Sequence, residues 1–167
     1  MLLLSGIATA QYKPVDAGSA LKFIIGNFGF DVNGTFSGFQ GKINFDQQNP
    51  VAASFDVTID AATVNTDNQL RDSHLKGSDY FDVADYPRIR LVSGKITGSK
   101  NNYKFTGTLT IKGKSKDISF PFTAVTAADG YLFSGTFKIN RKDFDVGGTS
   151  TIANELQVSL NVHALKV

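Results

Sequence analysis

The chain has 167 residues, with 17 Lys+Arg against 15 Asp+Glu and a formal net charge of +2. That is the length of a single domain, without the basic footprint that general nucleic-acid binding requires. There is no Cys and there are only two His, which excludes disulfide scaffolds, thiol catalysis, cysteine metal sites and a three-histidine zinc site. Fourteen Phe and five Tyr supply enough apolar surface for a sizeable core or a lined cavity, yet no apolar run is long enough for a transmembrane helix.

Residues 1–10 are apolar and close on Ala8-Thr9-Ala10 before Gln11. They read as the back half of a secretory signal lacking its basic start, and the competing reading is an apolar N-terminal arm. The first reading predicts a mature domain over residues 11–167 that works outside the cytoplasm.

From Ser19 onward the dominant period is two. Leu21, Phe23 and Ile25 alternate with Lys22 and Ile24, and Phe105, Gly107, Leu109 and Ile111 alternate with three threonines. Ile118 to Ala124, Phe133 to Ile139 and Val158 to Ala164 repeat the pattern, which marks antiparallel strands with one wet and one apolar face. Asn33-Gly34, Asn101-Asn102, Gly113 and Asp129-Gly130 supply the positive φ that tight turns need. The spacing predicts strands over 19–28, 30–38, 40–46, 52–60, 88–97, 103–112, 115–127 paired with 131–140, and 155–166. About eight such strands can hide their edges by closing into a barrel, with a sandwich as the rival all-β solution.

One segment breaks the pattern. Thr66-Asp67-Asn68-Gln69 has capping-box spacing, Leu70, His74 and Leu75 share a side, and Gly77 suits a left-handed helix end. A helical insertion of about twenty residues is therefore predicted between the strands at 52–60 and 88–97, the fourth and fifth of that reading, where it would cover one mouth. It carries Arg71, Asp72 and His74, and a later strand end supplies Asn140, Arg141 and Asp143. Arg71 is expected to pair with Asp143 and Asp72 with Arg141. This polar mouth cluster either fastens the helix to the barrel or leaves one Arg to hold an anionic or oxygen-rich head group. His74 has no evident nucleophile to serve and reads as a hydrogen-bonded structural residue; His163 reads as an exposed strand residue. Asp79, Asp82 and Asp85 match no cation loop, phosphate-cradling loops are absent, and neither a metal nor a cofactor is expected.

The apolar face remains. Its phase predicts a lumen lined by Phe23, Ile25, Phe36, Ile43, Phe45, Phe55, Val57, Leu109, Phe120, Phe122, Phe137 and Leu160. Those side chains either hold one apolar ligand or pack as a solid core, and periodicity alone does not separate the two.

Several segments together carry a resemblance. They are Thr66-x-Asn68-x-x-Arg71-Asp72-x-His74-Leu75, Ser78-Asp79-Tyr80-Phe81-Asp82-Val83, Tyr86-Pro87-x-Ile89, Leu109-Thr110-Ile111-Lys112-Gly113 and Ile139-Asn140-Arg141-x-Asp143-Phe144-x-Val146-Gly147. These blocks resemble the YceI-like lipid/polyisoprenoid-binding family over about residues 12 to 166, with Tyr80, Ser115 and Asp145 as mild departures. The resemblance implies an eight-stranded antiparallel lipocalin-like barrel, typically exported to the bacterial periplasm. Its implied function is non-catalytic binding, transport or storage of a polyisoprenoid, isoprenoid quinone or fatty-acid derivative in the lumen. Some members are dimers, so a homodimer is an open option. Two alternatives stand beside this reading: an enzyme using Arg71, Asp72, His74 and Asp143 on a lipid head group, and a solid-core structural or stress-response protein.

Overall fold

The alternation is realised as eight antiparallel strands: β1 (Gln11–Asn27), β2 (Phe30–Asn44), β3 (Ser54–Asn65), β4 (Arg88–Ser99), β5 (Asn102–Ile111), β6 (Lys114–Ala127), β7 (Gly130–Asn140) and β8 (Ile152–Lys166). Each strand pairs with its neighbour in sequence, and β8 returns to β1 with Leu21 opposite Leu160 and Phe23 opposite Val158. The sheet is a closed barrel, so no strand is left as an unpaired edge. The structure is a computed structural model that describes residues 10–167; the secretory reading of residues 1–10 falls, apart from Ala10, outside it. Among the described residues no helix is long and apolar enough to cross a membrane.

Two expectations about the early strands change. The segments at 30–38 and 40–46 form the single strand β2, because Gly38 takes a φ of +77° and absorbs a register shift rather than making a turn. The Asp16 carboxylate, on an irregular stretch of β1, accepts the Gly38 and Phe39 amides at 3.0 and 2.8 Å and so stitches the two irregular stretches together. Asn33-Gly34 lies inside β2; the β1–β2 turn is Phe28-Gly29, with φ values of 52° and 79°. The helix α1 (Gln69–Lys76) still lies between the strands where the sequence placed it, now the third and fourth.

Antiparallel order puts α1, the Phe28-Gly29 turn and the 141–151 loop at one end of the barrel, called upper here. The chain start and the turn at Lys100-Asn101 lie at the lower end. The core divides accordingly. The lower half holds Tyr12, Ile43, Phe45, Phe55, Tyr103, Phe105, Phe120, Phe122, Tyr131 and Phe133. Phe45 is 1% exposed and meets Tyr103, Tyr131 and Phe133 edge-on at 5.0–5.3 Å, which is the favoured geometry for ring quadrupoles. The lower end is a solid aromatic plug. The upper half, around Phe23, Ile25, Phe36, Ile59, Ile89, Leu109 and Val158, is not filled.

Candidate functional site

The upper half holds a cavity of about 120 Å³, open in part at the mouth. Leu21, Phe23, Ile25, Phe36, Ile59, Ile89, Leu109, Ile111, Phe137, Ile139 and Val158 wall this cavity, and Leu75, Tyr80 and Phe81 roof it. Phe81 meets Phe36 edge-on at 5.3 Å, which pins the roof to β2. A smaller void of about 50 Å³ lies below, among Ile43, Phe55, Val57, Leu91, Phe105, Phe120, Phe122, Phe133 and Leu160. Both walls are wholly apolar.

Of the twelve residues predicted to face the lumen, Phe23, Ile25, Phe36, Leu109 and Phe137 line the upper cavity. Ile43, Phe55, Val57, Phe120, Phe122 and Leu160 line the lower void, while Phe45 lines neither and belongs to the plug. The interior is thus plugged at its lower end around Phe45, holds a small void above that plug, and is hollow at the upper end. The sequence placed an insertion over one mouth but did not single out the side chains that roof the cavity: Tyr80 and Phe81 lie in an irregular segment with no period to read.

Above the cavity lies a chamber of mixed polarity that shares Phe23, Ile25, Leu75, Tyr80 and Ile152 with it and adds the apolar Val32 and Leu70 and the polar Asn27, Thr66, Asn68, Arg71, His74, Ser150 and Thr151. Its central joint is Thr66, 5% exposed. Arg71 Nε donates to Thr66 Oγ1 at 2.7 Å and Nη2 donates to the Thr66 carbonyl at 2.8 Å. The Thr66 hydroxyl and amide donate in turn to Asp72 Oδ1 at 2.6 and 2.9 Å. Arg71 Nη1 is left without a protein partner among the described residues. The cap of α1 is Asn68, whose side chain accepts the Arg71 amide at 3.0 Å; Thr66 does not cap it. Gly77 ends α1 in extended backbone, φ −76°, not in a left-handed cap. The T-x-N-x-x-R-D spacing was the available signal: it places hub, cap, guanidinium and carboxylate within seven consecutive residues that lead into the first turn of α1.

The two expected ion pairs are not formed. Arg141, 3% exposed, is spent on backbone oxygens: Nε on Ala153, Nη1 on Val146 and Gly148, Nη2 on Ser150 and Ile152, with Asn154 Oδ1 as a further acceptor, at 2.8–3.3 Å. It braces the 141–151 loop and turns only its apolar stem to the cavity. Asp143 is exposed, and Asn140 caps the following turn by accepting the Lys142 amide at 3.0 Å. Asp145 adopts a φ of 55°, as a glycine there would. His74 is exposed at the chamber rim, with no hydrogen bond to its ring among the described residues. His163 is not a free strand residue: its Nε2 lies 2.8 Å from Asp129 Oδ1 and its Nδ1 3.0 Å from the Ala17 carbonyl oxygen. The bond to Asp129, then that to Ala17, raises its imidazole above the ordinary 6.5. Among the described residues no three His, Asp or Glu side chains converge as metal ligands would.

A closed antiparallel barrel, plugged below and roofed by a short helix over an apolar chamber, is the architecture of a small-ligand-binding barrel. The sequence places it further: a YceI-like domain matches residues 12–164, and the chain belongs to that family. A UPF0312 protein of Pectobacterium carotovorum is 30% identical over 158 residues, covering 87% of this chain and 81% of its own. Among solved structures, BcnA of Burkholderia cenocepacia superposes with a TM-score of 0.81 at 30% identity, covering 87% of this chain and 96% of its own. A polyisoprenoid-binding domain from Saccharophagus degradans shares the fold, with a TM-score of 0.78 at 15% identity over 95% of this chain and 99% of its own.

Proposed function

We propose that the protein binds one long apolar lipid without chemical turnover, its chain in the upper cavity and its polar end in the chamber above. The observation that carries this reading is the wholly apolar cavity opening upward into a chamber where polar groups first join the lining. An alkyl or isoprenoid chain gains about 0.8 kcal/mol per methylene buried in such a cavity. Burial alone can therefore offset the cost of association without specific chemistry. Two groups suit the polar end. Arg71 Nη1 offers a donor, and Asn27 Oδ1 is buried without a hydrogen-bond partner, a cost that a donor on the ligand would remove. The relative described as polyisoprenoid-binding supports an isoprenoid chain, and the apolar start of the sequence supports a place outside the cytoplasm.

The test is organic extraction of the purified protein followed by mass spectrometry, with titration of the stripped protein by farnesol. A stoichiometric lipid or saturable farnesol binding is expected. A clean extract together with no binding would leave a solid-core structural protein as the better reading.

A further inference from the structure

The β1–β2 turn breaks two local rules at one residue. Seven described non-glycine residues have positive φ; six are Asp, Asn or Lys, and the seventh is Phe28 at 52°. A bulky side chain is strained there, whereas Asn or Gly would sit at little cost. Phe28 is also 75% exposed, Phe30 beyond the turn 77%, and Leu70 on α1 69%. Strain and wet aromatic surface on the same three-residue tip mark a site kept for something other than folding.

The position says what the tip meets. Phe28 and Phe30 share a groove with Asn27, Thr66 and Arg71, and Leu70 lines the chamber beside those same three residues. The tip and α1 therefore stand on the rim of the route into the cavity. A long apolar ligand cannot travel freely through water, since each methylene leaving an apolar phase costs about a factor of four in its equilibrium constant. The groove carries Asp31 and Asp67 against the single cation Arg71, a net charge of −1 that gives no pull toward an anionic surface. An apolar tip beside a weakly acidic groove, with no basic cluster, fits the headgroup region of a zwitterionic rather than an anionic bilayer, where aromatic side chains partition well.

We infer that Phe28, Phe30 and Leu70 form a membrane-docking rim that seats the barrel mouth on a lipid bilayer for direct ligand exchange. This rests on the lipid-binding reading, and the test keeps the two apart. Flotation with phosphatidylcholine vesicles is measured for the wild type and for the double variant Phe28→Asn, Phe30→Thr. A control, Val51→Asn with Val125→Thr, alters exposed apolar residues at other places on the surface. Farnesol binding from dilute solution is measured on all three without vesicles. The rim variant is expected to lose about tenfold in vesicle partitioning, to keep farnesol binding, and to melt no lower than the wild type because Asn relieves the strained turn. The control is expected to float like the wild type, and replacing a third of the lipid with phosphatidylglycerol is expected to change little. Equal flotation of wild type and rim variant overturns the inference while leaving the lipid-binding reading intact. So does a wild-type dimer that becomes a monomer in the rim variant, because the rim would then cover a second copy of the chain. Loss of farnesol binding by every protein overturns the lipid-binding reading instead, while flotation still reports on docking.

Discussion

The rings of Phe120 and Phe137 stack at 4.6 Å and 27°, and Phe105 stacks on the far side of Phe120 at 4.9 Å. Phe137 lines the upper cavity and Phe120 the lower void, so this stack is the floor between them. Gly135 leaves the room it needs: a Cβ there would lie 3.2 Å from the Phe120 ring. Phe137→Ala is expected to open the floor and join the two spaces. Deleting a half-buried ring should cost about 2–4 kcal/mol, read from urea unfolding, while longer prenols bind more tightly relative to farnesol. An unchanged preference for chain length would mean that the floor does not limit the ligand.

Arg141 makes a different prediction. Its six acceptors are five carbonyls and one amide oxygen spread over residues 146–154. Arg141→Lys keeps the charge but offers three donors in place of a planar fork of five. Stability should fall by about 3 kcal/mol, and amide exchange should accelerate selectively across 146–152. A loss below about 1 kcal/mol, with exchange unchanged, would show that the loop holds itself.

How much of this was legible follows from which signals a sequence can carry. Phase was legible, because a lumen residue such as Phe122 or Leu160 is fixed by a period of two that one wet face enforces. The partners of Arg71 and Arg141 were not. Opposite charge suggested Asp143 and Asp72, yet both guanidiniums bind oxygens of neutral groups, Thr66 for one and a run of carbonyls for the other. Every residue has a carbonyl, so nothing in residue identity marks those acceptors. The break predicted between 30–38 and 40–46 misled for a related reason: a glycine at positive φ, such as Gly38 there, serves a turn and an irregularity within a strand equally well. The hollow upper half depends on how far Phe81 and Leu75 fold over the mouth, a long-range distance that no local pattern contains.

His163 bridges two acceptors, the Asp129 carboxylate and the Ala17 carbonyl, so the doubly protonated ring satisfies both at once. Its raised folded value means that its contribution is fully present below about pH 6.5 and fades as pH rises through that raised value. The hydrogen bond from His163 holds Asp129 below its ordinary 3.8, so the carboxylate contributes above that pH and stops as pH falls through the lowered value. Together they stabilise the lower end most between about pH 4 and pH 6.5. The urea midpoint is expected to decline from pH 6.5 to 8.5, and His163→Gln should flatten that decline. A slope that survives the substitution would assign it to other groups.

Gly34 offers the sharpest steric test of the cavity wall. It pairs with Phe23 across β1 and β2, and a Cβ built on it would lie 2.1 Å from Phe23 Cζ and 2.4 Å from Cε1. The ring lies flat over the glycine and lines both the cavity and the chamber. Gly34→Ala must push that ring off its seat, at about 1–3 kcal/mol for overpacking, and the free space beside it is the cavity and the chamber that the ligand would use. Stability and farnesol affinity should therefore fall together, the latter about tenfold if the displaced ring takes the space of two methylenes. Phe23→Leu shortens the side chain and removes the clash. In the double variant the alanine should then cost little, giving a coupling energy of 1 kcal/mol or more by the usual cycle, ~1–3 for residues in contact. Additive effects would place the ring elsewhere in solution and the cavity wall with it.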